Sequence, residues 1–223
     1  MKYILSLLIA CVYAVLTPMV VEAVVEYKQK QRTKALEDRA YNIIFYRVIC
    51  FIVGCAVAYL AQTHYELLPM SIVILIGFMA CVGTLVDNRI RIIPNEMVIV
   101  LFVLGLILRF ISGGLNQIFI GLICVVGTIL IFALSYVISK MFSKGMVPVG
   151  AGDLKLLMAM AMIVSYPGIM YAVFGIAVSM LLYIFIGAIL KKITFYSYLP
   201  MAGFIYLGIL IGIFSKFIES IIS

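Results

Sequence analysis

The sequence predicts an all-α protein, a polytopic transmembrane helix bundle of about eight spans. Of its 223 residues, 66% are hydrophobic and only 11% charged, against about 25% charged in soluble domains. Apolar runs of the roughly 17–25 residues needed to cross a bilayer recur along almost the whole length. Period-2 alternation is missing, which argues against a β-barrel. No stretch is left for a separate soluble domain.

The first apolar run covers about Tyr3 to Val25. Within it, Leu8-Ile9-Ala10-Cys11 looks like a lipoprotein cleavage box. The apolar residues continue for more than a turn past Cys11, and the stretch before it is short for a signal sequence, so an uncleaved spanning helix is expected. Glu26 to Arg47 is the most polar stretch, and its alternating charges at helical spacing predict a solvated helix on the membrane surface. Residues 1–47 therefore read as a span plus a basic cytoplasmic loop, and residues 48–223 as the main transmembrane domain. Further spans are expected near 47–63, 68–86, 96–111, 118–139, 153–166, 168–190 and 198–218. The breakers between them include Pro69, Ser112-Gly113-Gly114 and Tyr166-Pro167-Gly168. The span from 153 fits poorly: its helix would be about 21 Å long, short of a ~30 Å hydrocarbon core.

The net charge of +7 reflects loop placement rather than a nucleic-acid surface. With both termini outside, thirteen of the sixteen Lys and Arg lie in inner segments: Lys28 to Arg47, Arg89 and Arg91, Lys140 to Lys155, and Lys191 with Lys192. Lys2, Arg109 and Lys216 are left outside, an asymmetry that follows the positive-inside rule. The five cysteines all sit in apolar runs without a C-x-x-C pair, so neither a disulfide framework nor a zinc site is expected. No metal or cofactor is predicted.

Only three aspartates occur: Asp38, Asp87 and Asp153. Asp87 closes the third span, in Asp87-Asn88-Arg89-Ile90-Arg91-Ile92-Ile93-Pro94-Asn95. Asp153 opens the sixth, in Gly150-Ala151-Gly152-Asp153-Leu154-Lys155. The helix directions put both at the cytoplasmic boundary, where an acid is expensive and thus a functional candidate. Two carboxylates sharing one site do not both ionise easily. Such a pair can hydrolyse an amide without a metal, the charged member taking a proton from water and the neutral member donating one to the carbonyl. Asp153 at a helix N-terminus is favoured as the resting anion and Asp87 at a C-terminus as the resting acid. Gly150 and Gly152 are read as permitting unusual backbone angles and close approach of a substrate strand, and Asn95 as an N-cap after Pro94. Lys155 and Arg89 could orient the aspartates, although the positive-inside rule alone explains them. Glu96 is a candidate for binding a basic substrate segment.

Together these residues resemble the type IV prepilin peptidase family, which includes preflagellin peptidases. Gly150-Ala151-Gly152-Asp153-Leu154-Lys155 is similar to its G-x-G-D-x-K motif, and Asp87 followed by Ile93-Pro94-Asn95 to its other aspartate motif. Leu199-Pro200-Met201-Ala202-Gly203-Phe204 is similar to its proline–glycine–phenylalanine element, making Pro200 and Gly203 candidate substrate-binding residues. The resemblance covers about residues 68 to 210. It implies an aspartic endopeptidase with a six-span catalytic core plus N-terminal additions, embedded in the cytoplasmic membrane. Such an enzyme removes the short basic leader of type IV prepilin-like precursors, with Asp87 and Asp153 catalytic. The cysteine-rich cytoplasmic segment of bifunctional members is missing from 26–47, so N-methylation is not expected, although Asn42 to Arg47 is similar to another N-terminal element of those enzymes. Two other readings are a proton-coupled transporter with Asp87 and Asp153 as a relay, and a non-enzymatic assembly component. Both acids at one membrane edge and no internal repeat speak against the transporter.

Overall fold

A computed structural model describes residues 2–31, 38, 41–142, 150–190, 201–215 and 217. The described residues form seven helices and no strand: α1 (Lys2–Lys30), α2 (Ile43–His64), α3 (Leu67–Ile90), α4 (Asn95–Phe142), α5 (Ala151–Val164), α6 (Gly168–Ile189) and α7 (Met201–Ile213). Five of them, α1 to α4 and α6, are long and apolar enough to cross a membrane, as in a multi-pass membrane protein.

The break expected at Ser112-Gly113-Gly114 is present inside α4. Gly114 has φ 63° and ψ −150°, a backbone region open in practice only to glycine. A Cβ built at Gly105 would lie 2.9 Å from Ile163, and one at Gly121 would lie 2.7 Å from the Met162 sulfur. Those partners are adjacent residues of α5. A straight helix would separate Gly105 from Gly121 by about 24 Å, so the chain folds back at Gly114. The arms 95–112 and 115–142 both pack on α5.

The middle of the polar stretch in which a surface helix is expected, residues 32–37 and 39–40, lies outside the described residues; its described ends belong to the flanking helices. Glu26 to Lys30 prolong α1, and Ile43 to Arg47 open α2. The reason for the second boundary is local: the Asn42 carboxamide oxygen accepts from the N–H groups of Ile44 and Phe45, which caps α2. The first boundary shifts because Lys28 and Lys30 fall in the last turn of α1, where cations suit the helix dipole.

α3 is the central element, touching α1, α2, α4 and α7, while α5 packs against α4, α6 and α7. The main core draws Val73, Ile76, Leu101, Leu156, Met160, Ile163, Ile205 and Ile209 from four helices. A second cluster joins α1 and α2 to α3 through Tyr13, Val21, Cys50, Cys81 and Leu85. The outward faces are as apolar as the core: Ile123 is 70% exposed and Phe174 69%. A surface of that kind suits lipid rather than water. Small residues bring helices close, as lipid-embedded packing requires: a Cβ on Gly212 would stand 3.0 Å from the Gly168 carbonyl. At Gly127 a Cβ would meet open space.

Candidate active site

The two acidic motifs meet at one end of the bundle. The loop after α3 carries Ile93, and a Cβ on Gly152 would stand 3.5 Å from the Ile93 Cβ. Lys155 Nζ, one turn further along α5, donates to Asn95 Oδ1 at 3.0 Å. These contacts tie the start of α5 to the start of α4. Asp153 lies close enough for its charge to act on the Asp87 carboxyl.

Asp153 is the third residue of α5, and its carboxylate takes the backbone N–H of the cap residue Gly150. This is one half of a capping box, in which a side chain at the third position satisfies an otherwise orphan donor. Gly150 itself has φ −69° and ψ 144°, and Gly152 is an ordinary helical residue. The expectation that these glycines adopt unusual angles is therefore corrected. What Gly150 supplies is space, because a Cβ there would lie 3.1 Å from Asp153 Oδ2.

Asp87 lies in the last turn of α3 and is 7% exposed. Its backbone carbonyl accepts from Arg91 N–H, and Arg91 closes the helix in the left-handed conformation at φ 54°. Its side chain accepts from the backbone N–H of Ala202, through Oδ2 at 3.3 Å. Ala202 is in the first turn of α7, so the positive end of that helix faces Asp87. Sequence reasoning missed this contact. It offsets the unfavourable dipole of α3 and weakens the helix-end asymmetry between the two aspartates.

The α3–α7 seam continues behind Asp87. Thr84 packs on Gly203, where a Cβ would come within 3.2 Å of Thr84 Cγ2. Gly83, one turn before Asp87, lies under the phenol of Tyr206. Tyr206 is 2% exposed and its hydroxyl has no hydrogen-bond partner. The charge of Asp87 reaches that hydroxyl. A tyrosine in an apolar run carries no signal of its own, so Tyr206 was legible only as packing.

The other candidates are placed as follows. Pro94 is buried, and its carbonyl accepts from Val98 N–H, so Pro94 occupies the N-cap position. Asn95 follows it as the first helical residue, which corrects the expected cap; its side chain serves Lys155 instead. Arg89 does not orient either catalytic candidate, because it holds Asp38 bidentately, Nε to Oδ1 at 2.9 Å and Nη2 to Oδ2 at 2.5 Å. Glu96 is 54% exposed and paired with Lys28 Nζ at 2.8 Å. Pro200 lies outside the described residues. Among the described residues no group of three or more His, Cys, Asp or Glu converges as metal ligands would.

An all-helical, lipid-facing bundle with two acidic motifs joined at one end describes an integral membrane protein with a polar site at its edge. The chain belongs to the type IV leader peptidase family, whose sequence profile matches residues 73–214. It is a peptidase of that family. No curated protein and no solved structure matches it.

Proposed function

We propose that the protein is an aspartic endopeptidase of the cytoplasmic membrane that removes the short basic leader of type IV prepilin-like precursors. The observation that carries the reading is the junction of the two motifs. Asp87 and Asp153 stand at helix ends that the Gly152–Ile93 and Lys155–Asn95 contacts bring together, near enough for the Asp153 charge to act on the Asp87 carboxyl. Asp153 is partly exposed, with its charge supported by the Gly150 N–H and the α5 N-terminus, so it takes the proton from the attacking water. Asp87 is closed in by α7 and donates to the carbonyl oxygen of the scissile amide. As the C–N bond breaks, Asp153 passes the proton it took from water to the leaving amine and a hydroxyl of the tetrahedral intermediate returns one to Asp87, which restores the pair. The positive-inside pattern supports a cytoplasmic site. Glu96 beside this end offers a carboxylate to a basic leader, which would compete with Lys28 for it.

The test is cleavage of a prepilin-like substrate by purified protein in detergent, comparing wild type with Asp87→Ala, Asp153→Ala and the two Asp→Asn variants. Both aspartates are expected to be indispensable. Normal cutting by either folded variant, or no cutting by folded wild type, overturns the reading.

A further inference from the structure

At the far end of the bundle a cavity of about 320 Å³ opens between the ends of α2, α5 and α7 and the turn of α4. It lies about 17 Å along α7 from Ala202, well away from the aspartates. The shortness of α5 creates it: the helix stops at Val164 after 14 residues, about 21 Å, and the chain turns through Tyr166 and Pro167 along the cavity wall.

The side chain that sets the chemistry of this cavity is Arg109. Its Nη2 donates to the Ile163 carbonyl at 2.5 Å, while Nε is buried without a partner. Among the described residues no carboxylate pairs with it. A guanidinium partly withdrawn from water without a counter-charge is costly, and its planar fork matches the oxygens of a phosphate. Gln117 lines the same cavity and can add amide donors. The volume falls within the roughly 300–1,000 Å³ of small-molecule sites. Phe110, Ile111 and Leu115, within two positions of lining residues in sequence, are 58%, 37% and 65% exposed, apolar surface of the kind acyl chains cover.

We propose that this cavity binds a phosphate-bearing anion, supplied by an anionic phospholipid headgroup or by free phosphate, with Arg109 as its principal ligand. The anion completes the charge of Arg109 and braces the α5–α6 turn against α4 and α7.

Full-length protein in neutral detergent is titrated with short-chain dihexanoyl phosphatidylglycerol, with dihexanoyl phosphatidylcholine and with sodium phosphate, reading the unfolding midpoint. A saturable rise with phosphatidylglycerol and none with phosphate assigns a lipid, and a rise with phosphate assigns the free ion. In Arg109→Gln, and in the isosteric Gln117→Glu, which puts a carboxylate on the wall of the same cavity, apparent affinity is expected to fall about tenfold or more. Gln117→Glu keeps the test decisive should Arg109→Gln fail to fold. The proposal is overturned if neither anion raises the midpoint of wild type. It is equally overturned if phosphatidylcholine matches phosphatidylglycerol while phosphate does nothing, or if a folded variant responds as wild type does.

Discussion

Substitution of Gly83 by alanine should have opposite signs in two backgrounds. A Cβ at this position would stand 2.2 Å from the Tyr206 hydroxyl oxygen and 2.4 and 2.5 Å from two ring carbons. The ring has no open space beside it, because Tyr206 is fully enclosed. Either α7 moves off α3 or the phenol leaves its rotamer, and overpacking of this kind costs about 1–3 kcal/mol. The same displacement draws the Ala202 N–H away from Asp87, already at 3.3 Å, so turnover should fall further than stability does. In a Tyr206→Leu background the obstruction is gone. There Gly83→Ala should stabilise by up to about 1 kcal/mol, the ordinary helix-propensity gain. Thermal unfolding of wild type, the two single variants and the double variant gives the coupling directly, and leader cleavage by the same four proteins gives the functional side. Equal effects of Gly83→Ala in both backgrounds would show that the phenol does not set the α3–α7 distance.

Three further outcomes are expected. Gly150→Ala fits the observed φ and ψ but crowds Asp153 Oδ2 at 3.1 Å; kcat of leader cleavage should drop with little change in unfolding temperature. Gly114→Ala meets nothing within 4 Å, so its destabilisation, about 1–3 kcal/mol, should come from the backbone alone; an unchanged midpoint in thermal unfolding would contradict the fold-back at this residue. Glu96→Gln breaks an exposed ion pair with Lys28 and should change stability by less than about 1 kcal/mol, while raising KM for substrates with a basic leader more than it lowers kcat.

Much of the helical layout is legible from hydropathy and breakers. Gly168–Ile189 matches the run expected at 168–190 within a residue, and the fold-back falls on Ser112-Gly113-Gly114. Boundaries moved where a side chain, not hydropathy, sets them, as Asn42 does for α2. For the site, the placement of the two acidic motifs at one end of the bundle follows from helix direction, because only two orientations are open to a span. What supports the pair is not legible. The Ala202 N–H reaches Asp87, and the Tyr206 phenol packs on Gly83 one turn before it, both from a helix more than a hundred residues away; nothing in local pattern reports which faces of α3 and α7 meet. The role of Gly150 was misread for a related reason, since a glycine needed for room looks the same in sequence as one needed for its angles.

The carboxylate of Asp87 also fastens α7 to α3, accepting the N–H of Ala202 where the two helices converge. Enzymes commonly gain stability when a charged catalytic group is removed, because such groups are held at the expense of the fold. If Asp87 is catalytic as proposed, the same atom serves chemistry and architecture, and that trade is closed. A descendant of this chain that abandoned peptide cleavage would still be under selection to keep an acceptor at position 87. Retention of an acid or amide there is thus a poor guide to whether a relative still cuts.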